Sequence, residues 1–213
     1  MHISISSTFV ENDYSTSITT WAGFTVLGIS AYNGLALGDM DAVELEGETM
    51  DQCLAHASPN SFTQHVHSLS PCACDGCGST TEKPGVCDGD DDCFPSDWSF
   101  AKAGWIATTG DHGGVFGLAK DGHLIYGPYN SDNELWSCDD VDMCNGFFVD
   151  AATGEYAYAS TTFFPYIVGC WGPAYATHEF MPSCTSSGCG DGALSNLSYS
   201  AMFLGFLVMG SLF

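Results

Sequence analysis

Eleven cysteines in a chain of 213 residues constrain the fold more than any other feature of this sequence. They are too many, and too regularly placed, for a reduced cytosolic protein, so they predict disulfide bonds and an oxidising compartment. The odd number leaves at least one thiol unpaired, bonded to another chain or bound to metal, and the sequence does not determine the pairing. The candidate disulfide residues are Cys53, Cys72, Cys74, Cys77, Cys87, Cys93, Cys138, Cys144, Cys170, Cys184 and Cys189. We therefore expect an extracellular or cell-surface protein.

The charge of the chain is strongly one-sided. Three lysines, no arginine and 26 carboxylates give a formal net charge of −23. Nucleic acid is excluded as a partner because phosphate binding needs clustered lysine or arginine side chains. An anionic membrane surface is disfavoured for the same reason. Such acidity keeps a protein soluble, and it also offers oxygen ligands to divalent cations.

Short apolar and aromatic runs predict β-strands. They occupy residues 114–118, 123–126, 146–149 and 156–164, and glycine, proline, asparagine or aspartate bounds them. Ahead of the C-terminal tail, no long segment shows the 3.6-residue period of an amphipathic helix. We predict an all-β fold with sparse short helix, including one piece near residues 48–57.

An internal repeat, with a spacing of about ninety residues, indicates two similar halves. Residues 26–35 resemble residues 115–128, and Asp51-Gln-Cys53 matches Asp142-Met-Cys144 further along each copy. Cys72 and Cys170 close the two copies. The repeat predicts one disulfide-stabilised globular domain built from two similar β halves.

Composition divides the rest of the chain. The predicted segments are an N-terminal extension (1–21), the domain (22–175, with halves at about 22–72 and 105–175), an insert rich in Cys, Asp and Gly (73–104), a Ser/Gly/Cys-rich linker (176–200) and an apolar tail (201–213). We expect the insert to be a loop held by disulfide bonds.

The landmarks of the repeat resemble the YHYH family of extracellular domains, whose function is uncharacterised. In the second copy they are residues 115–129, Asp142-Met-Cys-Asn-Gly146 and Phe164-Pro-Tyr-Ile-Val-Gly-Cys170. The motif is degenerate in both copies: Gln64-His-Val-His67 keeps the histidines, and Tyr156-Ala-Tyr-Ala159 keeps the tyrosines. The resemblance implies an extracellular domain that spans residues 22–175.

Two histidines form the first candidate metal site. Side chains two apart on a strand share a face, so His65 and His67 can bind one ion together. A third ligand, such as His56 or Asp51, would come from another element. The other interpretation is a pair of partly buried strand residues bonded to backbone. Tyr156 and Tyr158 share a face in the same way, and we expect them to pack between the halves.

An acidic loop is the second candidate metal site. Asp88, Asp90 and Asp92 lie between Cys87 and Cys93 and offer the oxygen ligands that Ca²⁺ prefers. The spacing does not fit the EF-hand template, so a solvated loop is the other interpretation. Residues 139–142 are a weaker candidate of the same kind. No cofactor is certain, and Ca²⁺ is the ion that these loops suggest.

The remaining cysteine motif and the search for catalytic groups point away from an enzyme. Cys72-Ala-Cys-Asp-Gly-Cys77 invites a zinc or redox interpretation, but no second Cys-x-x-Cys pair completes it. We expect a disulfide knot among Cys72, Cys74, Cys77, Cys87 and Cys93 instead. The sequence has no Gly-x-Ser-x-Gly elbow and no phosphate-binding loop, so we predict that the protein is not an enzyme.

The two ends of the chain carry different sequence signals. The first residues lack the basic and apolar regions of a signal peptide, and we expect either a longer gene product or a truncated start. The uncharged stretch 201–213 is shorter than the ~20 residues of a spanning helix. It fits either a cleaved lipid-anchor signal or an apolar element that docks on a neighbouring subunit. The docking candidates are Met202, Phe203, Leu204, Phe206, Leu207 and Val208, and Asn196 begins an N-glycosylation sequon.

These features together favour an extracellular structural or adhesive protein. It would self-assemble through the apolar tail into a homo-oligomer or polymer, such as a surface fibre or coat. A secreted metal-binding module, for calcium or a transition metal, is the alternative from a different class. A lipid-anchored cell-surface protein is the third hypothesis, in which the C-terminal anchor makes the only membrane contact.

Overall fold

Short strands and turns dominate the computed structural model, which describes residues 21–59, 63–73, 82–87, 92–105 and 112–174. The strands are β1 (Trp21–Thr25), β2 (Ser30–Tyr32), β3 (Leu35–Ala36), β4 (Met40–Asp41), β5 (Ala55–Ala57), β6 (Gln64–Val66), β7 (Val115–Ala119), β8 (Leu124–Tyr126), β9 (Gly146–Asp150) and β10 (Glu155–Ala159). The helices are α1 (Ala42–Glu46), a 3-10 turn (Gly47–Thr49) and α2 (Ser99–Lys102). The predicted β-rich class with sparse short helix is confirmed.

Eight strands form one mixed sheet that is symmetric about its centre. Its order is β5-β6-β2-β1-β7-β8-β10-β9. In each half an antiparallel hairpin (β1–β2 or β7–β8) is followed by a parallel neighbour and then by an antiparallel edge strand. The antiparallel pair β1–β7 joins the halves. The fold therefore contains the two similar β halves that the sequence repeat predicts.

The strand register shows which residues correspond. One row of paired residues runs Gly23, Ala31, Val66, Ala55 in the first half, and the matching row runs Gly117, Ile125, Tyr158, Gly146 in the second. Both rows begin on a glycine because the central strands approach closely. A Cβ on Gly23 would lie 2.2 Å from the Leu118 carbonyl oxygen, and one on Gly117 would lie 2.3 Å from that of Phe24.

The sheet buries one face completely and the other only at its two ends. The main core includes Ala31, Val66, Phe116, Ile125 and Tyr158, and loops and short helices cover it. On the opposite face, a smaller apolar cluster around Trp136 and Phe147 covers the second half.

The centre of that opposite face is open. Phe24 lies opposite Leu118, which lies opposite Leu124, and the Trp21 ring contacts Phe24 at a centroid distance of 4.8 Å. Phe24 is 43% exposed and Leu118 is 51% exposed. We call these four residues the apolar strip.

Disulfide bonds occupy equivalent places in the two halves. Cys53–Cys72 ties the start of β5 to the loop after β6, and Cys144–Cys170 ties the start of β9 to the loop after β10. Cys87–Cys93 closes a small loop within the insert, and Cys138 is also disulfide-bonded.

The predicted knot is therefore wrong for Cys72. This residue follows β6, and the antiparallel β5–β6 pairing brings the end of β6 beside Cys53 at the start of β5, so Cys72 bonds within its own half. Cys74, Cys77, Cys184 and Cys189 lie outside the described residues, as do Asn196 and the tail residues 202–208.

Two predicted element boundaries also differ from the structure. The helix predicted near 48–57 lies earlier, at Ala42–Glu46, because the Asp41 side chain caps it by accepting from the Val43 and Glu44 backbone amides. The run 156–164 leaves the sheet after Ala159, and the chain then turns through residues 160–166. Among the described residues, no helix has the length and apolarity needed to cross a membrane.

Candidate metal centre

Three of the seven histidines meet at the outer end of the first half-sheet. His56 lies on β5 directly opposite His65 on β6, and His67 follows β6 on the same face. Their candidate ligand atoms all lie within 4.8 Å of one another. His65 and His67 are 4% and 3% exposed. The structure thus brings the two predicted histidines together with a third.

A carboxylate turn places His56 at the site. The Asp51 Oδ1 atom accepts hydrogen bonds from the backbone amides of Cys53 and Ala55, which sets the direction of β5. In the second half Asp142 Oδ1 makes the same two bonds, to Cys144 and Gly146. Of the two candidates for a third ligand, His56 therefore belongs to the cluster, whereas Asp51 shapes the turn before it.

The Nδ1 atoms of His65 and His67 face backbone carbonyl oxygens. His67 Nδ1 lies 2.7 Å from the Asn33 oxygen, and His65 Nδ1 lies 3.2 Å from the Thr63 oxygen. A carbonyl oxygen can only accept, so each Nδ1 atom carries the hydrogen and donates it. The Nε2 atoms of both rings are then bare lone pairs.

His56 is held in the same tautomer through Thr49. The Thr49 hydroxyl donates to the Glu46 carbonyl oxygen at 2.8 Å, and the same Oγ1 atom lies 2.8 Å from His56 Nδ1. Since the hydroxyl has one hydrogen, it accepts from His56 Nδ1. The Nε2 atom of His56 is buried and has no hydrogen-bond partner.

The resulting cluster contains acceptors without donors. His65 Nε2 lies 3.0 Å from His67 Nε2, so two lone pairs face each other at hydrogen-bond distance. Glu46 Oε2 lies 3.5 Å from both His56 Nε2 and His67 Nε2. Buried lone pairs with no partner cost free energy, and a cation placed among them removes that cost.

A proton is a poor candidate for that cation. Burial lowers the pKa of His67 to about 3 and also lowers the pKa values of His56 and His65. Desolvation disfavours the charged imidazolium, and the neighbouring His65 and His56 lower the pKa of His67 further. Neutral imidazole is the form that binds metal ions, so the same burial keeps the three rings in a form that can bind a metal ion.

Tyr32 packs over the histidines. Its ring stacks on His65 with a centroid distance of 4.0 Å and meets His67 edge-on at 5.7 Å. The side chain comes from β2, the strand that pairs with β6, so the sheet itself sets this contact. Tyr32 thereby limits the rotation of the ring whose Nε2 atom faces His67.

The second half carries apolar residues at the matching positions. Its register places Phe147 opposite Ala157, where the first half has His56 opposite His65. Phe147 and Ala157 belong to the apolar cluster with Trp136. The two halves therefore cover the same face of the sheet by different chemistry.

The register also aligns the two degenerate motifs. Because Val66 corresponds to Tyr158, the segment Gln64–His67 corresponds residue by residue to Tyr156–Ala159. The histidines face the candidate metal centre, and the tyrosines face the main core.

Both tyrosine hydroxyls are bonded to half-buried carboxylates. Tyr156 Oη donates to Asp142 at 2.9 Å, and Tyr158 Oη donates to Asp121 at 2.5 Å. Burial raises the pKa of each tyrosine far above its usual range. These hydroxyls are satisfied structural groups.

The acidic candidates do not form a comparable cluster among the described residues. Asp88 and Asp90 lie outside the described residues, and Asp92 is exposed. Asp142 accepts bonds from several protein groups, and Asp140 accepts from the Ser137 amide and hydroxyl. A cleft of about 540 Å³ beside β9 is lined partly by these carboxylates, at the opposite end of the sheet from the histidines.

Glu46, Thr49 and Tyr32 are site residues that the sequence interpretation missed. Glu46 and Thr49 lie in a helix and a turn whose position depends on the cap at Asp41. The spacing between Glu46 and His56 does not match a known metal-binding motif, so it gave no signal in the sequence. For Tyr32 the usable signal was the alternation of side chains along β2, which places Tyr32 on the face of the sheet opposite the buried Ala31.

Comparison of the chain with family models, with curated proteins and with solved structures found no match. The resemblance to the YHYH family therefore stays a prediction.

Proposed function

We propose that this protein is an extracellular metal-binding module, and that His56, His65 and His67 bind one divalent transition-metal ion. The observation that carries the proposal is the 3.0 Å approach of two Nε2 lone pairs in a buried cluster of acceptors. Three Nδ1 atoms that donate to protein oxygens are the outer-shell arrangement expected of metal-binding histidines.

The donor set selects the class of ion. Imidazole nitrogen suits Zn²⁺, Cu²⁺ and their first-row neighbours, whereas Ca²⁺ takes six to eight oxygen ligands. Among the described residues no thiolate joins the cluster, and Cys53 and Cys72 near it are bonded to each other. The proposal is therefore Zn²⁺ or Cu²⁺ at the histidines, and it does not extend to calcium there.

Elemental analysis of the full chain tests the proposal. Protein purified without chelator, and metal-free protein titrated with Zn²⁺ or Cu²⁺, should each reach one ion per chain. His65→Ala and His67→Ala should abolish tight binding, whereas Gln64→Ala, the exposed neighbour on the same strand, should bind normally. Absence of stoichiometric binding by the wild-type chain would refute the proposal.

The extracellular location is supported by the disulfide bonds, which indicate an oxidising compartment. Mass spectrometry of native material after thiol alkylation tests it. Alkylated Cys53 or Cys144 in that material would contradict it.

A structural or adhesive role is the second candidate, and the apolar strip favours it. Exposed aromatic and aliphatic side chains in the middle of a sheet are typical of contact surfaces. The proposed partner is a second copy, since the strip lies across the symmetric β1–β7 junction and can face its own equivalent. Light scattering and electron microscopy of wild type and of the Phe24→Ser/Leu118→Ser variant test this role. Monomeric wild type at all concentrations would rule it out.

A further inference from the structure

We infer that Glu46 is the fourth ligand and that it closes the histidine site into a tetrahedral N₃O centre for Zn²⁺ or a similar ion. This inference rests on the proposed function. It goes further because it assigns a ligand outside the histidine motif and excludes an open coordination position.

Three of the separations between the proposed ligand atoms are close to those of such a centre. Metal–nitrogen bonds of 2.0–2.1 Å in a tetrahedral zinc site put neighbouring ligand atoms about 3.3 Å apart. Glu46 Oε2 lies 3.5 Å from the Nε2 atoms of His56 and His67, and the His65–His67 separation is 3.0 Å. The carboxylate oxygen thus occupies a ligand position with respect to two of the three histidines.

Glu46, the last residue of α1, also helps to orient the His56 ring through Thr49 in the turn that follows. The Glu46 carbonyl oxygen accepts from Thr49 Oγ1, and that hydroxyl accepts from His56 Nδ1. The backbone of Glu46 therefore orients one ligand through Thr49 while its side chain reaches the centre itself. Because one residue both orients His56 and supplies a carboxylate, the distance between these two proposed ligands is held within a narrow range.

The helix before the turn is anchored to the main core. Asp41 caps α1, and its other carboxylate oxygen accepts from the Tyr166 hydroxyl at 2.8 Å. Val43 of the same helix is fully buried. Glu46 is thus held at a fixed place beside the sheet although its side chain is 30% exposed.

Charge also favours Glu46 as a ligand. The described groups within 3.5 Å of its Oε2 are acceptors with bare lone pairs, on His56 and His67. A divalent ion among the three neutral rings and one carboxylate leaves a net charge of +1 at the centre.

A closed centre predicts a structural ion. Catalytic zinc sites keep a position for water or substrate, whereas structural sites fill all four positions with protein ligands. Here the ligands come from α1, β5, β6 and the residue after β6. The ion therefore joins the helix to the edge of the sheet.

Cobalt substitution of the full chain tests the inference. Co²⁺ in a closed site should give a tetrahedral visible spectrum that azide does not change. Glu46→Gln should weaken Co²⁺ binding by about 100-fold or more, beyond the usual loss for an outer-shell partner. Glu46→Ala should make the spectrum sensitive to azide, because the fourth position is then open. Glu48→Gln, in the following exposed turn, is the matched control and should behave like wild type.

The outcomes separate this inference from the proposed function. Cobalt that binds wild type stoichiometrically but responds to azide would overturn the assignment of Glu46 and leave the metal site in place. Unchanged affinity in Glu46→Gln would do the same. A wild-type chain that binds no cobalt, zinc or copper would overturn both. The azide test on wild type needs no variant, so it holds even if a substitution disturbs folding.

Discussion

His56 and Phe147 occupy corresponding positions in the two halves of the sheet. His56 lies opposite His65 across the β5–β6 pair, and Phe147 lies opposite Ala157 across the β9–β10 pair. Phe147 packs on Trp136 with ring centroids 4.4 Å apart, whereas His56 presents a buried Nε2 atom with no hydrogen-bond partner. One half covers this face with apolar contacts, and the other covers it with the three histidines of the proposed metal site.

This relationship predicts that the stability of the first half depends on metal. Chelation should lower the melting temperature of wild type. The variant His56→Phe/His65→Ala/His67→Ala, which carries residues of the second half, should bind no metal and melt at the same temperature with or without chelator. Calorimetry with and without EDTA measures both effects. A wild-type melting temperature that ignores metal would contradict the prediction.

The lowered histidine pKa values predict acid sensitivity of the metal-free protein. In the unfolded chain these histidines take up protons below about pH 6.5, while the folded chain resists until near pH 3 for His67. The unfolding free energy should therefore fall as the pH drops through this window, by up to about 1.4 kcal/mol per pH unit for His67 and by less for the more exposed His56 and His65.

Two carboxyl groups have the opposite effect on how stability depends on pH. Burial raises the pKa of Asp41 to about 6 and also raises that of Glu46, so their contribution to stability falls as the pH rises through the acid range. Denaturant unfolding in EDTA between pH 4 and pH 7, chosen to span roughly these pKa values, compares wild type with the triple variant. The triple variant should lose the histidine slope. Equal slopes in the two proteins would count against neutral, buried histidines.

Removing each of the two equivalent disulfide bonds should have similar effects on stability but different effects on metal binding. Removing Cys53–Cys72 or Cys144–Cys170 by double serine substitution should lower the unfolding free energy by about 3 kcal/mol in each case, since the bonds close loops of similar length. Only the first should also weaken metal binding, because it joins the start of β5 to the loop after β6. Titration calorimetry gives the affinities, and equal losses in both variants would contradict the assignment of the site to one half.

Substitution of Asn145 should lower the free energy of unfolding, because both its backbone conformation and its side-chain hydrogen bonds depend on asparagine. It is fully buried at φ 68°, and its Nδ2 atom lies within 3.0 Å of Ala159 O, Thr161 Oγ1 and Ile167 O. Asn145→Ala should cost about 3 kcal/mol, from buried acceptors left unpaired and from left-handed strain. Asn145→Gly, which removes the strain alone, should cost about 1 kcal/mol less. Denaturant unfolding checks both, and a loss under 0.5 kcal/mol in the alanine variant would contradict the prediction.

Local pattern was enough to predict the class of fold and part of the site. Short apolar runs such as β7 and β8, and the glycine at positive φ in the turn between them (Gly122), follow from strand propensity and turn geometry. Local pattern was not enough for the helix, since its start depends on a cap at Asp41 that a core tyrosine supports. It also failed for Cys72, because its partner Cys53 becomes a neighbour only when β5 pairs with β6.

The sequence by itself determined a disulfide-bonded β fold with an internal repeat, and it determined that His65 and His67 share a face, because a strand alternates its side chains with period two. Tertiary structure alone decided that His56, Glu46 and Thr49 join them. These residues belong to separate elements, and their meeting depends on the strand order β5-β6-β2 and on a helix anchored in the core. Contacts between distant segments are set by the packing of the whole sheet, which no local spacing encodes.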